Sequence, residues 1–256
     1  MGRVLLENNK SKNFLGNQSK SSLEKNSEFF LENHAAYKNQ VAEIDSYKLI
    51  SSAINSQIDG LGRIIDIGNG GVFDYETGLV DEIIGLDLFL NKLPDSLEFP
   101  RNVIMVEGSG LQIPERLTSF DGVVIVMLLH HLIGKNPKES IENVEQCIKE
   151  ALRVLRPGGK IVIVESCVPP WFYQFEKIVF KPATWIIERI MTHPPTIQYT
   201  KEMISRMLIE AGFSNLTEEK IPKGKSILQF GIKVPSWATP VQPVLFTAIR
   251  PIVKMN

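Results

Sequence analysis

The stretch IIDIGNGG, residues 64–71, decides the fold of this chain of 256 residues. Three isoleucines surround one acid in a short apolar run, which is typical of a buried β-strand. Three glycines follow directly, and glycine after such a strand permits either a positive φ or the close approach of a ligand to the main chain. We therefore expect a strand that ends at a ligand-binding loop, with a tight turn that binds nothing as the alternative.

The composition is that of an ordinary globular protein, with 43% hydrophobic residues, 22% charged residues and a formal net charge of -1. This balance gives no bias toward nucleic acid. The only cysteines, Cys147 and Cys167, lie far apart, which excludes a disulfide framework and a cysteine metal site, and we expect no metal. The first residues lack the apolar core of a secretory signal, so a cytoplasmic protein is expected.

Strands and helices alternate along most of the chain. Residues 1–27 are polar and aperiodic, which predicts a mobile leader, and residues 28–256 are expected to form a single domain. The alternation predicts an α/β fold with an open, doubly wound, mainly parallel sheet and helices on both faces. The predicted strands are Arg63–Gly68, Glu82–Asp87, Val103–Glu107, Gly122–Met127 and Lys160–Glu165, with a helix over Lys138–Leu155 between the last two.

Two C-terminal segments suit a final strand. Both KSILQFGIK, residues 225–233, and VLFTAIR, residues 244–250, have the composition to pair with a strand near residues 216–221. We expect VLFTAIRP to be the last strand of the sheet.

The ligand of such a sheet binds where the strands end, and an acid there can hold a ribose. Asp87 closes a predicted strand 21 residues beyond Asp66, a spacing that suits a nucleoside cofactor. A dinucleotide loop would need glycine where this chain has Phe73, and Asp74 and Glu76 would repel a diphosphate. S-adenosylmethionine carries positive charge and no phosphate, so it fits better than NAD.

The chain resembles the class I S-adenosylmethionine-dependent methyltransferases, particularly the small-molecule group. The resemblance covers residues 37–250 and rests on five motifs in order: IIDIGNGG, IIGLDL, SFDGVVIVMLLHHL, EALRVLRPGGKIVIVES and YTKEMISRMLIEAGF. It implies a Rossmann-like, seven-stranded sheet with S-adenosylmethionine as cofactor.

The resemblance also implies a set of cofactor-binding residues. Asp87 would hold the ribose hydroxyls and Leu88 would flank the adenine. Position 109 is Ser where family members usually have an acid, which weakens the expected contact with the adenine amine. The full set is Tyr37, Asp66, Gly68, Asn69, Gly70, Asp87, Leu88, Ser109, Gly110, Leu111, Val126 and Met127.

An aromatic segment after the fifth predicted strand is the expected helical cover, about residues 169–199. Trp171, Phe172 and Phe175 from this segment are candidate substrate contacts, and they favour an apolar or aromatic acceptor. His193 is a further candidate, although a histidine before two prolines also suits a plain loop. Core packing and a helix lying on a membrane surface are the alternatives, while charges interrupt the segment too often for a membrane span.

The candidate catalytic residues are His131 and His130, which follow the fourth predicted strand. Methyl transfer from a sulfonium needs mainly alignment and exclusion of water, and a base is useful only when the acceptor must lose a proton. Packing beside the cofactor is the alternative role, which the frequency of paired histidines in the family favours.

The sequence thus predicts a methyltransferase for a small acceptor, with O- or N-methylation expected first. A non-catalytic protein on the same fold that binds S-adenosylmethionine is the alternative. The sequence gives no oligomeric state.

Overall fold

The structure, a computed structural model, describes residues 3–5, 45–88, 90, 97–178, 196–229 and 232–252. The strands in these ranges are β1 (Arg3–Leu5), β2 (Arg63–Ile67), β3 (Glu82–Asp87), β4 (Val103–Glu107), β5 (Phe120–Val126), β6 (Leu155–Cys167), β7 (Ser214–Lys220), β8 (Ser226–Gln229), β9 (Ile232–Pro235) and β10 (Gln242–Ile249). The longer helices are α1 (Asp45–Ile58), α2 (Pro137–Val154) and α3 (Lys201–Ala211).

The main sheet has the order β1-β4-β3-β2-β5-β6-β10-β7. β2 pairs in parallel with both β3 and β5, so the direction of chain progression reverses on either side of β2. β10 runs antiparallel between β6 and β7. The predicted doubly wound, mainly parallel sheet is confirmed, and the carboxyl ends of β2 and β5 meet at its point of reversal.

Successive isoleucines of β2 enter two different core layers. Ile64 packs in the cluster that contains Ile50 and Ile54 of α1. Ile65 packs in the other cluster, together with Val144 and other buried residues of α2. Because neighbouring side chains of a strand point to opposite faces, helices cover the sheet on both sides, as the uninterrupted apolar strands predict.

The start of α2 follows from its local sequence. The Asn136 side chain accepts hydrogen bonds from the main-chain N–H groups of Lys138 and Glu139, at 3.0 and 3.1 Å. Pro137 is the first helical residue, where no N–H is needed. This cap fixes where the chain turns back after the carboxyl end of β5.

One sequence prediction needs correction at the start of the chain, and one of two alternatives near its end is decided. Residues 3–5 fall in the predicted mobile leader, yet they form β1, which pairs in parallel with Ile104–Val106. Without β1, β4 would be an unpaired edge strand of the sheet. The short strand that contains Val4 and Leu5 pairs with this edge. The rest of residues 1–27 lies outside the described ranges.

The segment KSILQFGIK does not join the main sheet. It supplies β8 and most of β9, which pair with each other as a separate hairpin. VLFTAIR lies in β10, as expected. Among the described helices, none combines the length and the apolar content that a membrane crossing requires.

Candidate active site

The glycine loop after β2 leaves open space beside its main chain. Gly68 has a φ of +74° and a Cβ there would lie 2.5 Å from Leu128 Cδ1. Gly70 has a φ of +58°, and a Cβ at this position would meet no atom within 4 Å. The loop is therefore closed by packing at Gly68 and open at Gly70, which is the arrangement that a ligand approaching the main chain needs.

Asp66, the penultimate residue of β2, is a buried acid. It is 2% exposed, and Tyr75 donates a hydrogen bond to its Oδ2 at 2.9 Å. Burial raises the pKa of Asp66 to about 7, with further increases from the charges of Asp74 and Asp87, while hydrogen bonds from Tyr75 and Asn69 oppose the shift. Burial also raises the pKa of Asp74 to about 6. The loop is thus surrounded by carboxyl groups.

Asp87 connects the end of β3 to this loop. Its Oδ2 accepts a hydrogen bond from Gly70 N–H at 2.9 Å. Asn69, between the two glycines, accepts from Gly71 N–H through its Oδ1 at 2.8 Å. Leu88 follows and is partly buried. The structure therefore brings the predicted ribose acid to the predicted glycine loop.

The segment after β4 lies against the end of β2. A Cβ on Gly110 would be 2.7 Å from Ile67 Cγ2, so this glycine permits a close approach. Ser109 Oγ accepts a hydrogen bond from Leu111 N–H at 3.2 Å, which folds the segment into a tight turn. The serine hydroxyl thus organises its own turn.

The carboxyl end of β5 is bent by a residue in the left-handed region. Met127 has a φ of +50°, and its N–H donates to Val164 O on β6 at 2.8 Å. Val126 and Met127 both pack against the cluster that contains Ile64. The bend leads directly into the turn Leu129–His131. A side chain in this conformation costs free energy, which is typical of a functional site.

His130 forms an ion pair or charge-assisted hydrogen bond with a buried carboxylate. Its Nδ1 lies 2.6 Å from Oε1 of Glu165, whose side chain is 0% exposed. The same oxygen accepts from Ser166 N–H at 2.7 Å and from Ser166 Oγ at 3.2 Å. The ring centroids of His130 and His131 are 4.1 Å apart. The ring of His130 is therefore oriented, because a fixed acceptor faces its Nδ1.

The described part of the expected cover begins with a helix over residues 170–178, here called the cover helix. Trp171 and Phe175 are 66% and 56% exposed, whereas Phe172 packs partly against the core. His193 and Tyr37 lie outside the described residues. Of the three predicted aromatic substrate contacts, Phe172 therefore points inward, whereas Trp171 and Phe175 point toward solvent.

The cover helix also brings an acid toward His130. Glu176 accepts a hydrogen bond from Gln198 N–H through Oε2 at 3.2 Å. Burial raises the pKa of Glu176 to about 7, although the Gln198 hydrogen bond and the charge of His130 act in the opposite direction. Two carboxyl groups, Glu165 and Glu176, therefore lie near one imidazole.

Known proteins share this sequence pattern and this fold. A family model described as a methyltransferase domain matches residues 65–163. The demethylmenaquinone methyltransferase of Shouchella clausii is 25% identical over 179 residues, which cover 61% of this chain and 70% of that protein. The protein of the same name from Staphylococcus saprophyticus is 28% identical over 172 residues, with coverage of 61% and 70%.

A solved structure has the same overall arrangement. The 1,6-didemethyltoxoflavin-N1-methyltransferase of Burkholderia thailandensis, crystallised with 1,6-didemethyltoxoflavin and S-adenosylhomocysteine, matches with a TM-score of 0.61. It is 13% identical and covers 92% of this chain and 90% of its own.

The matched methyltransferase domain and these relatives support a class I S-adenosylmethionine-dependent methyltransferase.

S-adenosylmethionine is the cofactor expected for a methyltransferase domain, and the residues present suit that molecule. The open main chain at Gly70 leaves room for a ligand, and Asp66, Asp74 and Asp87 surround the loop. Carboxyl groups attract a sulfonium and an ammonium, while they would repel the diphosphate of a dinucleotide. In the described ranges, no group of three or more histidine, cysteine or acidic side chains is arranged to hold a metal ion.

The sequence analysis of the methyltransferase did not identify Glu165 or Glu176. Glu165 had a signal, because it is an acid near the end of the apolar run IVIVES, residues 161–166. A buried acid in such a run must find a partner, and the partner is His130. Glu176 had no comparable signal, since its approach to His130 depends on how the cover helix packs.

Proposed function

We propose that the enzyme methylates a hydroxyl group of a small apolar or aromatic acceptor and that His130 is the general base. The observation that carries the proposal is the 2.6 Å contact between His130 Nδ1 and the fully buried Glu165. Two relatives are named for demethylmenaquinone, and their names support a ring-shaped apolar acceptor. The two free, buried cysteines favour a reducing compartment, so we expect the enzyme to act in the cytoplasm.

Glu165 determines which nitrogen of His130 accepts a proton. A carboxylate accepts a hydrogen bond from Nδ1–H, so a neutral imidazole keeps its proton on Nδ1 and has its lone pair on Nε2. That lone pair is the one available for an acceptor hydroxyl. After proton transfer the imidazolium remains paired with Glu165, which stabilises the charge as it forms.

A base is needed for a hydroxyl acceptor but not for every acceptor. S-adenosylmethionine supplies the methyl group, and its thioether leaves without a proton. A neutral hydroxyl must lose its proton as the new bond forms, while a carboxylate needs no base at all. An oriented histidine–carboxylate pair therefore supports methylation of a hydroxyl oxygen over methylation of a carboxylate oxygen.

The cofactor would be held by the residues around the glycine loop. We assign Asp87 to the ribose hydroxyls, and Asp66 with the loop Gly68–Gly70 to the methionine part. Leu88 and the turn 109–111 would flank the adenine, and Val126 and Met127 would lie beneath the cofactor. Each assignment follows from position at the strand ends and from the contacts described above.

The test is release of S-adenosylhomocysteine in the presence of a panel of phenols, other alcohols, amines and carboxylates. We expect turnover with hydroxyl acceptors. His130→Gln should lower the turnover number by roughly 10²–10⁴ while cofactor affinity stays nearly intact, since only the proton acceptor is lost. Glu165→Gln should cause a smaller loss, because the tautomer is no longer fixed.

His131→Gln is the matched control, because it makes the same change in the adjacent ring. Its turnover should stay within a few-fold of the parent at saturating cofactor. Equal turnover of His130→Gln and the parent would remove His130 as the base. Absence of S-adenosylhomocysteine release with every hydroxyl acceptor would overturn the proposed function.

A further inference from the structure

The inner face of the cover helix carries an acid into the site. The helix begins two residues after Val168, which itself follows β6, so it starts at the carboxyl edge of the sheet. Tyr173 on this helix is 6% exposed, and Glu176 follows three residues later on the same face. Residues three apart on a helix are neighbours. Gln198, whose N–H donates to Glu176, directly follows Ile197, whose N–H donates to His130 O at 3.2 Å. Glu176 therefore lies on the side of the cover helix that faces the His130 turn.

Among the described residues, the opposing charge that acts on Glu176 is that of His130, which is a cation only when it is protonated. The Glu176 carboxyl accepts a hydrogen bond from the main-chain N–H of Gln198. Arg206 acts on neighbouring Tyr173, but its side chain is 64% exposed and lies 3.8 Å from Glu210. Glu165, the second carboxylate near the imidazole, is paired with His130 alone among the described ionisable groups.

We infer that Glu176 makes the acceptor site select neutral hydroxyl compounds and reject acceptors that carry a carboxylate or phosphate. The inference rests on the proposed function, because it names the acceptor class of the same site. A second anion beside Glu176 would be repelled, and partial burial weakens the screening by water. Among the described residues, the ionisable groups that interact with Glu176 are His130, Tyr173 and Tyr199. None of these three is a permanent cation.

Rejection of anions should depend on pH. Since the pKa of Glu176 is raised to about 7, we expect an anionic acceptor to bind preferentially to the form of the enzyme in which Glu176 has taken up a proton. Above pH 7 that uptake becomes about tenfold less favourable with each pH unit. The affinity for an anionic acceptor should fall by the same factor, whereas the affinity for a neutral acceptor should not.

The experiment is calorimetric binding to the parent enzyme saturated with S-adenosylhomocysteine, so it does not depend on turnover. The probes are a panel of hydroxybenzamides and the matching hydroxybenzoates, which differ in charge and little in shape. Between pH 7.5 and 8.5 we expect the benzoates to lose about tenfold in affinity and the benzamides to stay constant. Glu176→Gln should abolish the loss, because an amide still accepts from Gln198 N–H and carries no charge.

Glu142→Gln removes a charge from an exposed position of α2 and is the control for a general change in net charge. It should behave as the parent does. Equal discrimination by the parent and Glu176→Gln would overturn the inference, and so would failure of every benzamide to bind. These results are distinct from failure of the proposed function, which is measured as absence of S-adenosylhomocysteine release.

Discussion

Single buried carboxyl groups mark the two ends of the candidate site. Asp66 contacts Tyr75 beside the glycine loop, and Glu165 contacts His130 at the other end of the site. The two acids differ in their partners, because a tyrosine hydroxyl is neutral whereas a histidine can hold a positive charge. Burial next to a neutral donor leaves Asp66 with a pKa raised to about 7. A cationic cofactor would favour its ionised form.

Replacement of Asp66 by Asn should make the stability of the protein less dependent on pH. Below about pH 4 the carboxyl is protonated in both the native and the unfolded chain. As pH rises from about 4 to 7, only the unfolded chain ionises, so the free energy of unfolding of the parent falls. Each pKa unit corresponds to roughly 1.4 kcal/mol, so the fall amounts to a few kcal/mol at most.

Urea denaturation of the parent and of Asp66→Asn at pH 4.5, 6 and 7.5 measures this effect. The variant should gain stability relative to the parent as pH rises, since Asn still accepts from Tyr75 and cannot ionise. Asp59→Asn at an exposed site is the control and should show no such trend. A constant difference between Asp66→Asn and the parent would mean that Asp66 does not titrate in this range.

At the scale of elements, the loop that connects β2 to the short helix Thr77–Leu79 has two glycines, Gly68 and Gly70, whose surroundings differ. Gly68 is packed against Leu128, which precedes the His130 turn, so the glycine loop and the histidine turn are in direct contact. Gly70 has open space instead. One loop therefore packs against the histidine turn at Gly68 and leaves open space for a ligand at Gly70.

Alanine substitutions should separate these two roles. Gly68→Ala meets both a positive φ, which costs roughly 1–2 kcal/mol, and a collision with Leu128. Gly70→Ala meets the positive φ alone. We expect Gly68→Ala to lower the free energy of unfolding more than Gly70→Ala does, and Gly70→Ala to weaken cofactor binding out of proportion to its effect on stability.

Gly78→Ala is the control, since its φ is not positive and a Cβ there meets nothing within 4 Å. It should change stability by less than either of the other substitutions. Denaturation gives the stabilities and calorimetry with S-adenosylhomocysteine gives the affinities. Equal losses of stability in Gly68→Ala and Gly70→Ala would contradict this expectation, because they would mean that Leu128 moves away from the new Cβ without lowering the stability.

At the scale of the whole molecule, the last strand is held in place from its far end. Arg250, directly after β10, donates hydrogen bonds from Nη1 to the carbonyl oxygens of Leu152 and Arg153 at 3.1 and 3.0 Å, and also to Leu155 O. These carbonyls belong to the end of α2 and the residue that follows it, where no helical N–H is available to them. The guanidinium thus ties the C-terminal strand to the helix that crosses from β5 to β6.

Arg250→Met should lower the free energy of unfolding by roughly 1.5–3 kcal/mol, because hydrogen bonds from a charged donor are lost while the aliphatic part of the side chain is kept. The exposed Arg206, which lies 3.8 Å from Glu210 on the surface of α3, provides the comparison. Arg206→Met should cost less than about 0.5 kcal/mol. Similar costs at both positions in urea denaturation would contradict the proposed role of Arg250.

The sequence by itself determined the alternation of strands and helices, the class of fold and the cofactor. Local information was sufficient for these, because a strand buried on both faces must be apolar throughout and a main-chain ligand site must lack side chains. The bounds Glu82–Asp87 and Val103–Glu107 were predicted as observed. The cofactor assignments at individual residues stay predictions, although Asp87 does contact the glycine loop.

The tertiary structure decided what depends on distant partners. Residues 225–233 and residues 244–250 were both candidates to pair with the strand near residues 216–221. In the structure β10 pairs with that strand, β7, whereas β8 and β9 pair with each other. Both histidines looked alike in the sequence, yet Glu165, 35 residues away, contacts His130. Glu176 reaches the same site only because the cover helix packs with Tyr173 inward. Sequence patterns report which side chains must be buried, but only packing determines which buried polar groups meet.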